Sequence, residues 1–328
     1  MSDKNLSLRD KSYPMDLFNF AYLVIFIVAI IYILIKNRES FLIKILVSIP
    51  IMAGLVYFSG SFFVLPVYIF SLVVSTYIYT VFFYFPFAVD VVLIVLSIFG
   101  KFVPVRFIFA AISISILLSM FLDKNMRKYD ITNNEKKGKD IKRETYRDYF
   151  QISTGVITIA IFAFEGIKGR ILILLAVLII YLAGNILYLN NKNRIADIVY
   201  MMEREDTKLG LGSMYLAAGF LLVLSFTRSL PVIYISAFMI MIGDSLATII
   251  GMKIRSRKLI YNKRKSIAGF MAMLLPSFLF GLFFFVYFYS AIYALGGTFA
   301  ESVSNKIADD NITIPISIVV LHLIIAMA

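Results

Sequence analysis

The chain has 328 residues, 61% of them hydrophobic and 16% charged, with a mean hydropathy of +0.89. Soluble domains run at about 45–50% apolar and about 25% charged residues, so an ordinary water-exposed globule is excluded. The net charge of +12 gathers in short loops between apolar blocks, which reads as cytoplasmic loops of a membrane protein rather than as a nucleic-acid surface.

Apolar blocks fall at 15–36, 42–59, 61–84, 86–100 and 103–122, then at 149–166, 169–190, 210–227 and 230–252, and finally at 267–284, 286–304 and 313–328. A bilayer crossing needs about 20 helical residues, and hydrocarbon forces backbone groups to pair internally. The predicted fold is therefore all-α: a polytopic integral membrane bundle of about 12 transmembrane helices. Residues 123–148 hold nine Lys or Arg and residues 253–265 hold seven with no acid, so both are expected in the cytoplasm. Helix parity then puts 305–312 on that side too. The expected organisation is an N-terminal group of five helices over 1–122, a cytoplasmic basic loop over 123–148, and a catalytic membrane domain over 149–328.

The chain has no cysteine, which removes disulfides, thiolate metal sites and cysteine nucleophiles. Its one histidine, His322, lies in an apolar run and reads as a packing residue. Histidine metal clusters and Ser-His-Asp catalysis are thereby set aside.

Five polar constellations remain, all expected at one membrane face. Arg147-Asp148-Tyr149-Phe150-Gln151 opens a helix directly after the long basic loop. Glu203-Arg204-Glu205-Asp206 precedes the helix that holds Tyr215 and Gly219. Either of these two can be plain interfacial charge. The third is Gly243-Asp244-Ser245-Leu246-Ala247-Thr248-Ile249-Ile250-Gly251, where small residues recur every four positions. By themselves they form a helix-packing stripe. Asp244 is different, because a carboxylate inside a membrane helix is expensive and points to function.

The fourth constellation is the basic loop running into Lys263-Arg264-Lys265-Ser266 and then Gly269. Its charges set topology, but cations beside free N–H groups at a helix start also seat phosphate. The fifth is Glu301 followed by Asp309-Asp310-Asn311 and Pro315, either an ordinary helix cap or a site where Asp309 and Asp310 supply hard oxygen ligands for Mg²⁺. Carboxylates, cations and small residues at one face suit phosphoryl transfer, where catalysis is chiefly positioning and charge neutralisation.

Taken in order, Gly243-Asp244…Ala247…Gly251, Lys263-Arg-Lys265-Ser266…Gly269, and Glu301 with Asp309-Asp310-Asn311…Pro315 resemble the dolichol kinase family. That group includes phytol kinases and the CTP-dependent diacylglycerol kinase and is distantly similar to phosphatidate cytidylyltransferases. The likeness extends thinly over 147–315 and leaves out the first five helices. It implies CTP-dependent phosphorylation of a polyprenol or dolichol at the cytoplasmic face of the bilayer. It also implies that Asp244, Asp309 and Asp310 hold Mg²⁺, with Asp244 and Asp310 catalytic. Gly243, Ser245, Gly251, Lys263, Lys265, Ser266, Gly269 and Asn311 are expected at the nucleotide, and Glu205 or Asp206 at the lipid hydroxyl. Gln151 stands where the family often has histidine, and Arg255 where glycine is common. Two alternatives stay open: a cytidylyltransferase making a CDP-lipid, and a secondary transporter using Asp90, Glu165 and Asp244 as ion-coupling carboxylates.

Overall fold

A computed structural model of the chain describes residues 38–77, 104–122, 141–177, 211–304 and 309–327. Among them the secondary structure is helical, with no strand beyond one antiparallel bridge between Lys258 and Ser266. The helices are α1 (Arg38–Ser59), α2 (Val64–Tyr77), α3 (Val105–Leu122) and α4 (Ile141–Glu165), then α5 (Leu211–Phe226), α6 (Leu230–Lys253), α7 (Ile267–Gly281), α8 (Tyr287–Val303) and α9 (Asp310–Met327). A further helical stretch covers 169–177.

The all-helical expectation holds for the described residues; the count of about twelve spans is not confirmed, and the expected blocks 15–36 and 86–100 lie outside those residues. Among the described residues, Leu230–Lys253 and Asp310–Met327 are long and apolar enough to cross a membrane. Others are apolar but shorter, such as Tyr215–Phe226 and Ile267–Gly281, so composition alone had merged helices with the turns beside them. The reverse error occurs at α4, which begins at Ile141 rather than 149. Its first turns carry Lys142, Arg143, Glu144 and Arg147, which a hydropathy reading assigns to the loop.

α2 packs on α3, α3 on α5, and α5 on α9, while α6, α7, α8 and α9 follow one another around the other side. α4 lies across the middle of α6. Small residues decide where the helices cross. Gly251 lies beside the Ser266 hydroxyl and the Gly269 backbone, and a Cβ on Gly269 would stand 2.8 Å from the Ala247 carbonyl. The stripe Gly243, Ala247, Gly251 is thus the seam on which α7 lies, with Met273 and Ser277 facing Gly243.

The midsection of α6, Phe238–Gly243, is π-helical. A π turn consumes about one residue more than an α turn, and such segments are frequent at functional sites. Here Met239 and Asp244 are five residues apart. Glycines again mark the approach: Gly155 of α4 packs against Met241 and Ile242, and Gly297 of α8 against Met239 and Ile314. Apolar residues recur every four positions on outward faces, as Met271, Leu275 and Leu279 on α7 and Ile316, Val320 and Ile324 on α9, each at least 39% exposed.

Candidate active site

Four elements bring charge to one end of the bundle. Asp244 follows the π segment of α6, Glu301 lies in the last turn of α8, and Asp310 opens α9. Each is buried, at 4%, 2% and 7% exposure, and one oxygen from each lies within 4.8 Å of the other two. Lys265 arrives from the loop between α6 and α7. Its ammonium pairs with Glu301 and stands 3.4 Å from Asp310.

The loop is built to deliver that ammonium. Leu259 N–H donates to the Lys265 carbonyl at 3.0 Å and Ile267 N–H to the Arg257 carbonyl at 3.0 Å, which folds 257–267 back on itself. Its tip is tied to the end of α8, with Tyr261 bonded to Ser302 at 2.8 Å and Asn262 donating to the carbonyls of Ser302 and Ser304. Ser266 then caps α7, its hydroxyl accepting from Gly269 N–H at 3.2 Å.

Three carboxylates and one ammonium leave a formal charge of −2, from −3 and +1. Burial works against the Lys265 ammonium, but Asp310, Glu301 and Asp244 outweigh it and hold its pKa above the ordinary lysine value. The lysine therefore stays charged at neutral pH. Asp244 is under-satisfied: Oδ2 receives a long bond from Gln151 at 3.4 Å, and buried Oδ1 has no partner. A buried carboxylate oxygen left bare is costly. Bare, hard, convergent oxygens fit a divalent cation such as Mg²⁺.

The sequence-predicted residues divide. Asp244, Asp310 and Lys265 come together, and the structure adds Glu301, which stood in the motif without an assigned role. Asp309 is not in the cluster. Its Oδ1 accepts from Asn311 N–H at 3.0 Å and from the Asn311 side-chain amide at 2.9 Å, capping α9. Asn311 is buried beside it, with its own Oδ1 lacking a partner. Lys263 is exposed, and Lys265 is the lysine that reaches the acids.

Gly243, Gly251 and Gly269 are engaged in the α6–α7 seam, and the buried Ser245 hydroxyl donates to Met241 O at 2.9 Å. Glu205 and Asp206, like Arg204, lie outside the described residues. So does Asp90. Glu165 is exposed at the far end of α4, so it and Asp244 do not form a carboxylate group.

Gln151 takes a part that sequence reading left open. From α4 its amide donates to the Ile240 carbonyl at 2.9 Å and to Asp244. The signal that could have found Glu301 is the one that found Asp244: a carboxylate within an apolar block. For Gln151 the signal is the resemblance, in which it stands where the family often has histidine; as a residue type, a glutamine near a helix start is ordinary.

With this geometry in place, the comparisons can be weighed. The chain is 30% identical over 178 residues to an uncharacterised protein of Methanocaldococcus jannaschii, covering 53% of this chain and 89% of that protein. It is 30% identical over 154 residues to a probable chloroplastic phytol kinase of Glycine max, covering 42% of this chain and 53% of that enzyme. It is 33% identical over 111 residues to a probable chloroplastic phytol kinase of Zea mays, covering 29% of this chain and 37% of that enzyme. The chain thus spans about half or less of the plant phytol kinases it matches. No family model and no solved structure matches it.

Proposed function

This chain belongs to the same family as the Methanocaldococcus jannaschii protein, and on that premise we propose that it is a membrane-embedded kinase transferring a phosphoryl group from CTP to a prenyl-type lipid alcohol. The observation that carries the reading is the buried convergence of Asp244, Glu301 and Asp310 with Lys265, which leaves one carboxylate oxygen bare. The likeness to phytol kinases supports the substrate class, and a polyprenol or dolichol is the form we favour. The outward apolar stripes of α7 and α9 support a lipid setting, since in water such contiguous faces would drive association. We further propose that the site faces the cytoplasm, the side to which the basic 253–265 loop points.

In this mechanism Asp244, Glu301 and Asp310 would hold Mg²⁺. When bound, the ion neutralises charge on the nucleotide phosphates. Lys265 shifts one of its bonds from the carboxylates to a phosphate oxygen, a charge-assisted contact. Exposed Lys263 adds positive potential at the mouth. The lipid hydroxyl oxygen attacks the terminal phosphorus, the bond to the bridging oxygen breaks, CDP leaves, and the hydroxyl proton is released. We assign the orientation of that hydroxyl to Glu205 or Asp206.

Purified protein in lipid nanodiscs, incubated in parallel with γ-labelled CTP, α-labelled CTP or γ-labelled ATP and a panel of alcohols (phytol, geranylgeraniol, a polyprenol, diacylglycerol), tests this directly. Label in a lipid monophosphate, with CTP preferred, is the expected result. Label from the α-phosphate entering a lipid, with pyrophosphate released, would make the protein a cytidylyltransferase instead. No substrate-dependent nucleotide turnover would remove the enzymatic reading.

A further inference from the structure

Gln151 reaches the acid cluster from α4, a helix that supplies none of its three grouped carboxylates. α4 lies against the π segment of α6, pressed close because Gly155 faces Met241 and Ile242, where a Cβ would stand 2.8 Å and 2.9 Å from their side chains. One α turn before Gly155 on the same face, Gln151 sends its amide toward α6. The amide donates to the Ile240 carbonyl at 2.9 Å, inside the π segment, and at 3.4 Å to Asp244 Oδ2, just past its end. The other oxygen, Oδ1, is buried without a partner.

The division of labour between the two oxygens is the informative point. An unrestrained carboxylate at the end of a side chain has a broad, roughly two-fold torsion. Here one oxygen is held from behind by a neutral donor and the other is left bare within a group of acids. The donor is itself anchored, because its main bond goes to backbone rather than to the carboxylate. This is how a second layer of residues fixes the direction of a metal ligand without touching the ion.

We infer that Gln151 is a positioning residue for Asp244: anchored on the π-segment carbonyl of Ile240, its amide turns the Asp244 carboxylate so that Oδ1 faces a divalent cation shared with Glu301 and Asp310. The inference rests on the metal reading proposed above and adds to it the element that orients the ligand. It also gives the π segment a purpose, since that segment presents the Ile240 carbonyl and Asp244 to one glutamine.

The test measures cation binding apart from turnover. Mn²⁺ binding to the purified, nucleotide-free full chain is followed by electron paramagnetic resonance, alongside the thermal midpoint without metal. Wild type is expected to bind Mn²⁺. Gln151→Met keeps the length but loses both N–H donors, and Mn²⁺ affinity should fall about 10- to 100-fold, the usual cost of losing such a partner. Gln151→His restores one N–H and should recover most of that loss. Ser153→Ala, an exposed position on the same helix, should match wild type. If Gln151→Met does not fold, Gln151→Leu serves as the second donor-free variant.

A folded donor-free variant that binds Mn²⁺ within twofold of wild type overturns the inference and leaves the metal site standing. Equal losses in the Met and His variants overturn it as well, since packing rather than donation would then set the affinity. A folded wild type that binds no Mn²⁺ overturns the metal reading itself, and this inference with it.

Discussion

Two buried polar groups sit at opposite ends of the α8–α9 pair, and they are built on opposite terms. At one end are Asp244, Glu301, Asp310 and Lys265. At the other, His322 receives a partner on each ring nitrogen, Thr227 at 3.0 Å and Tyr293 at 3.3 Å. There Arg170 turns one guanidinium nitrogen onto the last carbonyls of α5, bonding Leu224 O at 2.6 Å and Thr227 O, while its buried Nε lacks a partner. His322 lies twelve residues beyond Asp310 on α9, about 18 Å at 1.5 Å per residue. The far group closes a helix end by setting donors on its carbonyls, with Arg170 Nε its one buried polar atom left unpaired. The near group carries excess negative charge and a bare oxygen. Donors set on helix-end carbonyls make a structural joint, and convergent carboxylates with a bare oxygen make a place for a ligand.

Substitutions at the two ends should therefore fail in different ways. The largest effect is expected from Asp244→Asn. It keeps size but removes a charge needed for the cation, so kcat should fall by about 100-fold or more, each factor of ten being about 1.4 kcal/mol of barrier. Its thermal midpoint without metal should equal or exceed that of wild type, because a poorly compensated buried charge is gone. A fall in both turnover and midpoint would place Asp244 on the structural side of the contrast.

Next comes Lys265→Gln, which removes the only cation in the cluster and leaves three carboxylates facing one another. Turnover or apparent CTP affinity should fall about 10- to 100-fold, as expected from losing a charge-assisted bond of about 1.5–3 kcal/mol. Melted in a chelator, this variant should lose more stability than wild type, and Mg²⁺ should restore it. Stability unaffected by Mg²⁺ would refute the shared-cation arrangement.

These expectations depend on features that were unevenly legible in the sequence. Asp244 and Asp310 could be found because charge in apolar surroundings is expensive wherever the chain goes. The same rule favours Glu301, inside the 286–304 block, over Asp309, which lies between blocks, although the Asp309-Asp310 pair drew the ligand reading. What separates them is the local cap, in which Asp309 spends its oxygen on the first turn of α9. The glycines were legible as a face and ambiguous in purpose until α7 was seen lying on them. The π segment left no mark in the sequence, because an i to i+5 backbone pattern has no side-chain signature. Helix existence was readable from hydropathy, and helix length was not, as the early start of α4 shows.

Smaller effects sharpen the same contrast. Arg170→Met leaves two buried carbonyls short of a donor, at a cost of about 1–3 kcal/mol. The midpoint should drop while kcat stays within about twofold of wild type, and a large kcat loss would tie the far end to the chemistry. Smallest of all should be Lys258→Gln. It removes the same charge as Lys265→Gln from the same loop, but its side chain is exposed. Both midpoint and kinetics should match wild type, and an effect equal to that at Lys265 would mean that the loop acts through charge alone.

Gly219 leaves no room between α5 and the first turn of α9: any side chain there would meet the Asn311 carbonyl and the Pro315 ring. One residue earlier, the Ala218 carbonyl accepts the Ser113 hydroxyl of α3 at 2.7 Å. Helix α5 is thus a shim, seated on one side against an N-terminal helix and on the other against the backbone next to Asp310. Shims transmit thickness. A bulkier residue at 113 or 219 would be felt as a tilt of α9, and so as a displaced carboxylate.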